Sequence, residues 1–433
     1  MNELQKLPKI QDACLKDLVV LVRVDHNVVK KGRISDAYRI DCTIPTILQV
    51  LKKGGKLILM THIGRPYDKV TKTITISPEE DVHPIVEYLH HKYGLKCVIP
   101  KCKPVGEQGY MDLGNSQELV NELREGKIDA IYLPNTRFFA GEENKGELKK
   151  QLGKELASLA DIYVNDAFGS WQPHASTIEP VKYLPSYAGL LMQKELEHLT
   201  DIFYPQKPLT AVVAGSKFDT KIKTLEVLIK EVDYLILGGV ILNAYLAVKY
   251  GISIKGLSEE DLKIAADFVT LTNKYPGRVL EPSHIVESDT IEGKFANQYR
   301  NHATAKLTRG TQLNYILDVG KESFQDQKLQ DIIKQSKTIF INAVMGFTPH
   351  FTEGTIGMYS LIHSNKSALK LYGGGDTLQE FKNLLAEQYL NALNDTHYYF
   401  FTGGGTILTA IEQGSPWKLE TVAALLRGDT QQS

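Results

Sequence analysis

The sequence predicts an α/β protein built from two doubly wound parallel-sheet domains joined by a hinge. Short, nearly continuous apolar runs alternate with stretches of helical periodicity, as in parallel strands that helices cover on both faces. A proline-rich stretch between residues 173 and 208 interrupts this alternation, which then restarts. The 433 residues allow two or three domains at about 150 residues each.

The first domain, assigned to residues 1–185, is predicted to contain four buried strands with helices between them. Apolar runs predict the strands at Leu18–Val24, Lys56–Met60, Ala130–Leu133 and Asp161–Val164. Amphipathic spacing predicts the helices at Thr43–Lys53, Pro78–Tyr93, Ser116–Glu125 and Glu147–Leu159.

The rest of the chain is predicted to form a hinge and a second domain. Residues 186–207 are the hinge, with a helix at Met192–Ile202, residues 208–414 are the second domain, and residues 415–433 are a closing segment. The second domain has predicted strands at Thr210–Ala214, Tyr234–Leu237, Leu369–Tyr372 and Tyr398–Phe401. Its predicted helices lie at Thr220–Val232, Ile241–Val248, Leu378–Leu393 and Thr406–Glu412.

Composition and charge exclude several classes of protein. With 42% hydrophobic and 23% charged residues, the chain is neither disordered nor fibrous. Its 50 basic and 51 acidic residues leave a net charge of −1, so no overall field favours nucleic acid or an anionic membrane. The most apolar stretch, Tyr234–Val248, contains Gly238, Gly239 and Asn243, which favours a buried strand and a helix over a membrane span.

The cysteines and the N-terminus predict a cytoplasmic protein. Cys14, Cys42, Cys97 and Cys102 include no Cys-x-x-Cys pair, and no His or Cys near the last two completes a zinc site. The first residues lack the basic start and apolar block of a signal peptide. We therefore expect reduced thiols in the cytoplasm.

Polar and basic residues follow the predicted strands of the first domain. The strands run into Asp25-His26-Asn27, Thr61 to Arg65, Asn135 to Arg137 and Asn165-Asp166, and Arg39 follows the first of these. Ligands bind beyond the carboxyl ends of strands in doubly wound sheets. Because guanidinium groups bind carboxylate and phosphate through paired hydrogen bonds, this edge predicts a site for a small anion.

The second domain carries groups suited to a nucleotide phosphate. Glycine triplets at 373–375 and 403–405 each join a strand to a helix, where phosphate can approach backbone N–H groups. Asp376 could hold Mg²⁺, and Lys217 and Lys221 follow another strand. The chain has neither a P-loop nor a Gly-x-Gly-x-x-Gly fingerprint. These features predict a kinase that acts on a small acid.

The motifs resemble those of the phosphoglycerate kinase family almost from end to end. The matching segments are VRVDHNV (22–28), THIGRP (61–66), LPNTRF (133–138), VNDAFG (164–169), GSKFDTKI (215–222), GGGDT (373–377) and TGGG (402–405). The resemblance implies a bilobal fold and reversible, Mg²⁺-dependent phosphoryl transfer between ATP and the carboxylate of 3-phosphoglycerate. It also implies that residues 415–433 return to the first domain, and that a single chain suffices, so we expect a monomer.

The resemblance also implies which residues act. The acid would be bound by Asp25, His26, Asn27, Arg39, His62, Ile63, Gly64, Arg65 and Arg137. The nucleotide would be bound by Lys221, Gly238, Gly239, Asn342, Gly374, Gly375, Asp376 and Thr377, with Asp376 on the metal. Arg39 and Lys217 would stabilise the migrating phosphoryl group, beside a helix that starts at Gly403 and Gly404.

The sequence also departs from the family pattern. An arginine expected on the substrate phosphate falls in Trp171-Gln172-Pro173, and a glutamate expected on the ribose falls at Pro349. His26 and Phe401 replace the usual Phe and Ser. Loss of one charge-assisted hydrogen bond costs roughly 1.5–3 kcal/mol, so we expect an active enzyme with weakened binding. The alternatives are a paralogue that no longer catalyses and a kinase for a different small acid.

Overall fold

A computed structural model describes residues 3–428 of the chain. The chain divides into two compact units, one made of Met1–Glu197 with Trp417–Ser433 and the other of His198–Pro416. Each unit contains its own six-stranded parallel sheet. The predicted α/β class with parallel strands is therefore confirmed.

The first unit is organised around a sheet whose strands run in the order β5-β6-β4-β1-β7-β8. A two-stranded hairpin, β2-β3, follows β1 along the chain. The strands are β1 Val19–Val24, β2 Val29–Lys30, β3 Arg33–Ile34, β4 Lys56–Met60, β5 Cys97–Val98, β6 Ala130–Tyr132, β7 Ile162–Asp166 and β8 Ser186–Ala188.

Strand β1 explains why the first sheet is covered on both faces. All six of its residues are buried. Val20, Val22 and Val24 belong to one hydrophobic cluster, together with Ile44 and Leu89. Side chains alternate along a strand, so Arg23 lies on the opposite face. The central position of β1 leaves its carboxyl end in the middle of one edge of the sheet.

The helices of the first unit alternate with its strands along the chain. They are α1 Glu3–Lys6, α2 Tyr38–Lys52, α3 His83–Tyr93, α4 Ser116–Arg124, α5 Glu147–Ser158, α6 Ala175–Ile178 and, after the second unit, α16 Glu420–Gly428. Helix α7, Leu190–Phe203, contains the division between the units. Helix α2 begins five residues before the predicted Thr43 and keeps Pro45 in its interior, so Arg39 lies in its first turn.

Two further stretches of the first unit differ from the sequence prediction. Only a 3₁₀ turn forms at Pro78–Glu80, and Asp81 is extended, so α3 starts at His83. The proline-rich stretch contains an unpredicted strand, β8, which pairs in parallel with β7. Helix α16 packs against α6 and β8, whereas residues 429–433 of the predicted closing segment lie outside the described residues.

The second unit contains a parallel sheet in the order β12-β10-β9-β17-β18-β19, a three-stranded sheet β14-β13-β16 and a pair β11-β15. Its strands are β9 Leu209–Gly215, β10 Tyr234–Gly238, β11 Ser253–Ile254, β12 Val279–Leu280, β13 His284–Ser288, β14 Tyr299–Ala303, β15 Gln312–Leu313, β16 Tyr315–Val319, β17 Thr338–Asn342, β18 Leu369–Tyr372 and β19 Tyr398–Phe400.

The helices of the second unit follow its strands. They are α8 Ile222–Glu231, α9 Gly239–Tyr250, α10 Glu259–Thr272, α11 Gln327–Gln335, α12 Glu353–Ser364, α13 Gly375–Leu384, α14 Ala386–Ala392 and α15 Gly404–Gln413. The apolar stretch 234–248 forms β10 and α9, as predicted. The single helix predicted at Leu378–Leu393 is instead two helices that meet at Leu385.

No helix within residues 3–428 combines the length and the apolar composition that crossing a bilayer requires.

Candidate functional site

The first unit gathers basic and polar side chains at the carboxyl ends of β1, β4 and β6. Asp25 follows β1 and accepts a hydrogen bond from Arg39, with 3.1 Å between Oδ2 and Nη1. The Asp25 carboxylate is buried, whereas Arg39 is half-buried. Asp25 thus holds the Arg39 guanidinium at the sheet edge while its remaining N–H groups stay available to an anion.

Asn135 organises the loops after β4 and β6, although the sequence analysis did not include it among the site residues. Its Oδ1 accepts hydrogen bonds from the N–H groups of Ile63 at 2.9 Å and Arg137 at 3.1 Å. Its Nδ2 donates to the carbonyls of Ile63 and Glu80, both at 2.9 Å. The buried carboxamide therefore joins three segments of the chain at the site.

Arg137 reaches the same loop. Its guanidinium donates to the carbonyl of Gly64 and lies 3.3 Å from the Glu143 carboxylate. Its buried Nε has no hydrogen-bond partner in the described part of the chain. Burial lowers the pKa of Arg137. A buried cation with an unused donor favours the binding of an anion, because an anion would satisfy both its charge and its N–H.

The main chain of the loop after β4 is held by other site residues. Asn27 Oδ1 accepts a hydrogen bond from the Gly64 N–H at 3.0 Å. The N–H of Arg65 donates to Glu80 at 3.1 Å, and the Arg65 side chain is exposed. Asn27, Gly64 and Arg65 thus lie together, as the sequence predicts.

His62 is a neutral hydrogen-bonding group in this structure. Burial lowers the pKa of His62 well below its usual value, and the Arg23 and Arg137 charges add to the effect. Its Nδ1 lies 3.0 Å from Nη2 of Arg23, and a guanidinium can only donate. Nδ1 is therefore the acceptor, and the ring proton is on Nε2.

His26 is predicted to bind substrate, and the structure places its side chain inside the first unit. The ring is fully buried, with Nδ1 2.8 Å from the Tyr132 hydroxyl and Nε2 2.8 Å from Thr43 Oγ1. Burial lowers the pKa of His26 to about 3. Both ring nitrogens are thus satisfied inside the unit, and Ile63, also fully buried, offers only its main chain.

The loop after β7 supplies no permanent cation at the position of the expected arginine. Gln172 Oε1 lies 2.9 Å from His174 Nε2. Burial lowers the pKa of His174, so the imidazole is neutral at pH 7. Trp171 is half-buried and Gln172 is exposed. The cations at this edge are therefore provided by Arg39, Arg65 and Arg137.

The second unit contains a cleft of about 600 Å³. Many of the predicted nucleotide-binding residues line it, namely Lys221, Gly239, Asn342, Gly374, Gly375, Asp376 and Thr377. Gly238 instead packs inside the unit, where a Cβ would lie 2.9 Å from Met345 Sδ. Lys217 is exposed outside this lining, and its charge acts on Asp261.

Lys221 is the half-buried cation that lines the cleft. Its ammonium donates to the Ala214 carbonyl and to the side-chain and main-chain oxygens of Asn342. Burial lowers the pKa of Lys221 to about 8, although the charge of Asp376 opposes this shift. Asn342 Nδ2 also donates to the Gly373 carbonyl at 2.7 Å, so this residue connects Lys221 to the first glycine triplet.

The two glycine triplets lie against each other. Gly374 has φ +114°, a conformation that favours glycine, and a Cβ there would lie 2.8 Å from Asn342 Nδ2. A Cβ on Gly404 would lie 2.6 Å from the Gly374 Cα. Helices α13 and α15 therefore start side by side, and both positive helix ends lie at the same place.

The donor set of the cleft fits Mg²⁺ held together with phosphate. Asp376 is an exposed carboxylate in the first turn of α13. Within residues 3–428, no three Asp, Glu, His or Cys side chains form a metal-binding group. Mg²⁺ commonly takes one or two carboxylates and completes its shell with phosphate oxygens and water. Asp376 fits that role.

Comparison with the sequences of known proteins indicates one family. The phosphoglycerate kinase family model matches residues 10–414. The phosphoglycerate kinase of Wolbachia sp. subsp. Drosophila simulans (strain wRi) is 33% identical over 415 residues, covering 93% of this chain and 95% of the relative. That of Trichodesmium erythraeum (strain IMS101) is 33% identical over 402 residues, covering 91% and 92%.

Solved structures agree with this comparison. Phosphoglycerate kinase from Coxiella burnetii matches with a TM-score of 0.74 and 27% identity, covering 97% of this chain and 99% of the other. The enzyme from Pyrococcus horikoshii OT3 matches with a TM-score of 0.77 over 98% and 100% of the two chains, and at 20% identity it shows the fold alone.

The fold and the relatives define a kinase, an enzyme of the transferase class. The chain belongs to the phosphoglycerate kinase family. The predictions of family, fold class and kinase function are thereby confirmed.

Proposed function

We propose that the protein transfers the γ-phosphoryl group of ATP to the carboxylate of 3-phosphoglycerate, and that it also runs the reverse reaction. A carboxylate oxygen of the acid forms a bond to the γ-phosphorus, and the bond between that phosphorus and the bridging oxygen of ADP breaks. The products are ADP and 1,3-bisphosphoglycerate. The observation that carries this proposal is the meeting of two helix N-termini beside the Lys221 ammonium, in a chain of this family.

The edge of the first unit is proposed to hold the acid. Asp25 and Asn135 keep Arg39 and Arg137 in place, and these guanidiniums with Arg65 bind carboxylate and phosphate oxygens. Neutral His62 offers its Nε2–H to an oxygen of the substrate. Catalysis then rests on positioning and on neutralising charge, with Arg39 on the phosphoryl group.

The cleft of the second unit is proposed to hold the nucleotide. Lys221 and the N–H groups at the start of α13 bind phosphate oxygens, and Gly403 and Gly404 present a second helix end to the transition state. Lys217 is proposed to stabilise the equatorial oxygens of the migrating group. Because its side chain is exposed, it is free to reorient toward a bound substrate.

Asp376 is proposed to hold Mg²⁺ beside the phosphates. The metal, when bound, neutralises charge on the nucleotide phosphates. Lys221 would neutralise phosphate charge directly, whereas Asp376 would contribute by holding the metal. The charge of Asp376 also acts on Lys221 without a ligand, because it opposes the lowering of the Lys221 pKa.

The departures from the family pattern are proposed to weaken binding rather than chemistry. Gln172 is hydrogen-bonded to a neutral His174, and Pro349 has no carboxylate. Arg39, Lys217 and Asp376 are retained. Loss of one charge-assisted hydrogen bond corresponds to about a tenfold to hundredfold lower affinity. A kinase for a different small acid would instead phosphorylate another acid more efficiently than 3-phosphoglycerate.

We also propose that residues 186–207 are a hinge and that the protein acts as a cytoplasmic monomer. The division of the chain between Glu197 and His198 falls inside this segment. All four cysteines are free thiols, as is typical of a reducing compartment. Sedimentation of the purified protein tests the monomer.

Thermal unfolding with and without MgADP tests the nucleotide site. We expect MgADP to raise the Tm of the wild type, and we expect D376N to lose the part of this rise that depends on Mg²⁺. D267N removes an exposed carboxylate on α10 and is the matched control. An equal Mg²⁺-dependent rise in D376N would contradict the role of Asp376, and no rise in the wild type would contradict the nucleotide site.

A further inference from the structure

The nucleotide cleft contains one carboxylate that the mechanism does not use. Besides Asp376, two acidic residues line it, Asp318 and Glu380. Asp318 is buried and accepts hydrogen bonds from the N–H groups of Gly354 at 3.1 Å and Val319 at 2.9 Å. Both carboxylate oxygens of Asp318 therefore accept hydrogen bonds from the main chain. Glu380 is half-buried on α13 and faces the cleft.

Glu380 lies between the phosphate-binding part of the cleft and an apolar part. It follows Asp376 by four residues on α13, which places the two side chains one helical turn apart on the same face. Its carboxylate hydrogen-bonds the Thr348 hydroxyl. Thr348 adjoins Phe347, whose N–H donates to the Leu317 carbonyl at 2.8 Å. Phe347 and Leu317 both line the cleft.

This order of groups matches the order of parts in a nucleotide. Helix α13 begins where phosphate binds, and Phe347 offers an aromatic ring that is 46% exposed at the apolar part, suited to a base. The ribose lies between phosphate and base in any nucleoside phosphate. A carboxylate is a strong acceptor for the two neighbouring hydroxyl donors of a ribose.

We propose that Glu380 binds the ribose hydroxyls of the nucleotide and makes the enzyme selective for ribonucleotides over deoxyribonucleotides. The inference rests on the proposed function, since it requires a nucleotide in this cleft. The Thr348 hydroxyl donates to one side of the carboxylate and leaves acceptor sites for the sugar. Burial and the Asp376 charge raise the pKa of Glu380, as expected for a carboxylate that faces a cleft rather than bulk water.

Calorimetric titration with MgADP and with 2′,3′-dideoxy-MgADP tests the proposal. We expect the wild type to bind ADP about tenfold more tightly than the dideoxy nucleotide. We expect E380Q to lose about tenfold in affinity for ADP and to change little toward the dideoxy nucleotide. E387Q, which removes an exposed carboxylate on α14, is the control and is expected to keep the wild-type ratio.

Each other result overturns a defined claim. An E380Q protein that keeps the wild-type preference for ADP contradicts the role of Glu380, as does a wild type without preference. If E380Q changes the affinity for both nucleotides by the same factor, Glu380 acts through its charge alone and the proposal fails. If the wild type binds neither nucleotide, the proposed nucleotide site itself is wrong, and the inference falls with it. Equal Tm values for the variants ensure that folded proteins are compared.

Discussion

The ammonium of Lys221 donates hydrogen bonds to both the side-chain and the main-chain oxygen of Asn342. Lys221 precedes α8 and Asn342 ends β17, so this contact joins two neighbouring parts of the nucleotide cleft. The bonds are all to neutral oxygens, and burial lowers the pKa of Lys221 to about 8. The charge of the cleft therefore changes close to physiological pH.

Nucleotide binding is predicted to weaken as the pH rises through about 8. A lysine with a lowered pKa is charged below that pH and neutral above it, so the attraction for phosphate is present at pH 7 and lost toward pH 9.5. Titration of the free protein with MgADP between pH 6.5 and 9.5 measures this loss. K223Q changes an exposed neighbouring lysine and should show the same dependence of MgADP affinity on pH as the wild type. K221Q should bind MgADP weakly at every pH. A wild-type affinity independent of pH over this range would contradict the role of Lys221.

Replacing Arg39 by lysine is predicted to lower kcat by at least about a hundredfold. Lysine keeps the charge but cannot contact Asp25 and the phosphoryl group through one rigid fork, so transition-state stabilisation is lost. Steady-state kinetics measures kcat and KM separately. R33K, at an exposed hairpin position, is the matched control. If R39K raised only KM, Arg39 would bind the ground state and would not act on the transferred group.

An arginine at position 172 is predicted to lower KM for 3-phosphoglycerate about tenfold. The wild type offers Gln172 and a neutral His174 there, and Q172R adds a permanent cation that can bind phosphate through two hydrogen bonds. KM for ATP should stay unchanged. Q151R adds the same charge on the exposed face of α5 and should leave both constants as they are. Equal KM values for Q172R and wild type would mean that another group already binds the phosphate of 3-phosphoglycerate.

Asp166 is predicted to make the protein less stable as the pH rises. Burial raises the pKa of its carboxyl to about 7, and its Oδ2 has no hydrogen-bond partner among the described residues. The folded state thus holds the proton more tightly than the unfolded state, so its stabilisation is complete below about pH 4 and is lost as the pH rises through 7. D166N removes this dependence.

Chemical unfolding of D166N and wild type at pH 5 and pH 8 measures the effect. We expect the free energy of unfolding of D166N, relative to wild type, to be higher at pH 8 than at pH 5 by on the order of 2 kcal/mol. D161N is the control, because the carboxylate of Asp161 is paired with Arg124 and its lowered pKa keeps it ionised at both pH values, so D161N relative to wild type should not change between pH 5 and pH 8. No change in the difference between D166N and wild type would show that Asp166 ionises normally.

Most central strands of both sheets can be predicted from the sequence because they are apolar on both faces, although the equally buried central strand β17 was not predicted. Strands β1 and β9, for example, are buried almost throughout and need no alternation to be seen. Strand β8 is three residues long between Pro185 and Gly189, and β14 is mostly polar and exposed. Neither carries a hydrophobic pattern, so both were missed, as was the break at Leu385, where no Gly or Pro marks the helix end.

The sequence predicts those site residues that follow directly after a predicted strand. Arg137 and Lys221 follow strands, and the structure places both beside other predicted site residues. The interior position of the His26 ring has a tertiary cause, since Tyr132 and Thr43 satisfy its nitrogens from distant segments. The role of Asn135 depends likewise on bonds to other loops. Such partners become visible only once the chain is folded.

The most direct test of the account is phosphoryl transfer from MgATP to 3-phosphoglycerate, coupled to NADH oxidation, in the wild type, K217A and the control K223A. We predict turnover in the ordinary enzyme range of roughly 1–1000 per second for the wild type and K223A, and its loss in K217A. The K217A protein should still bind MgADP. A folded wild type without turnover would contradict the proposed reaction, and near-normal turnover in K217A would contradict the assignment of Lys217 to the transition state.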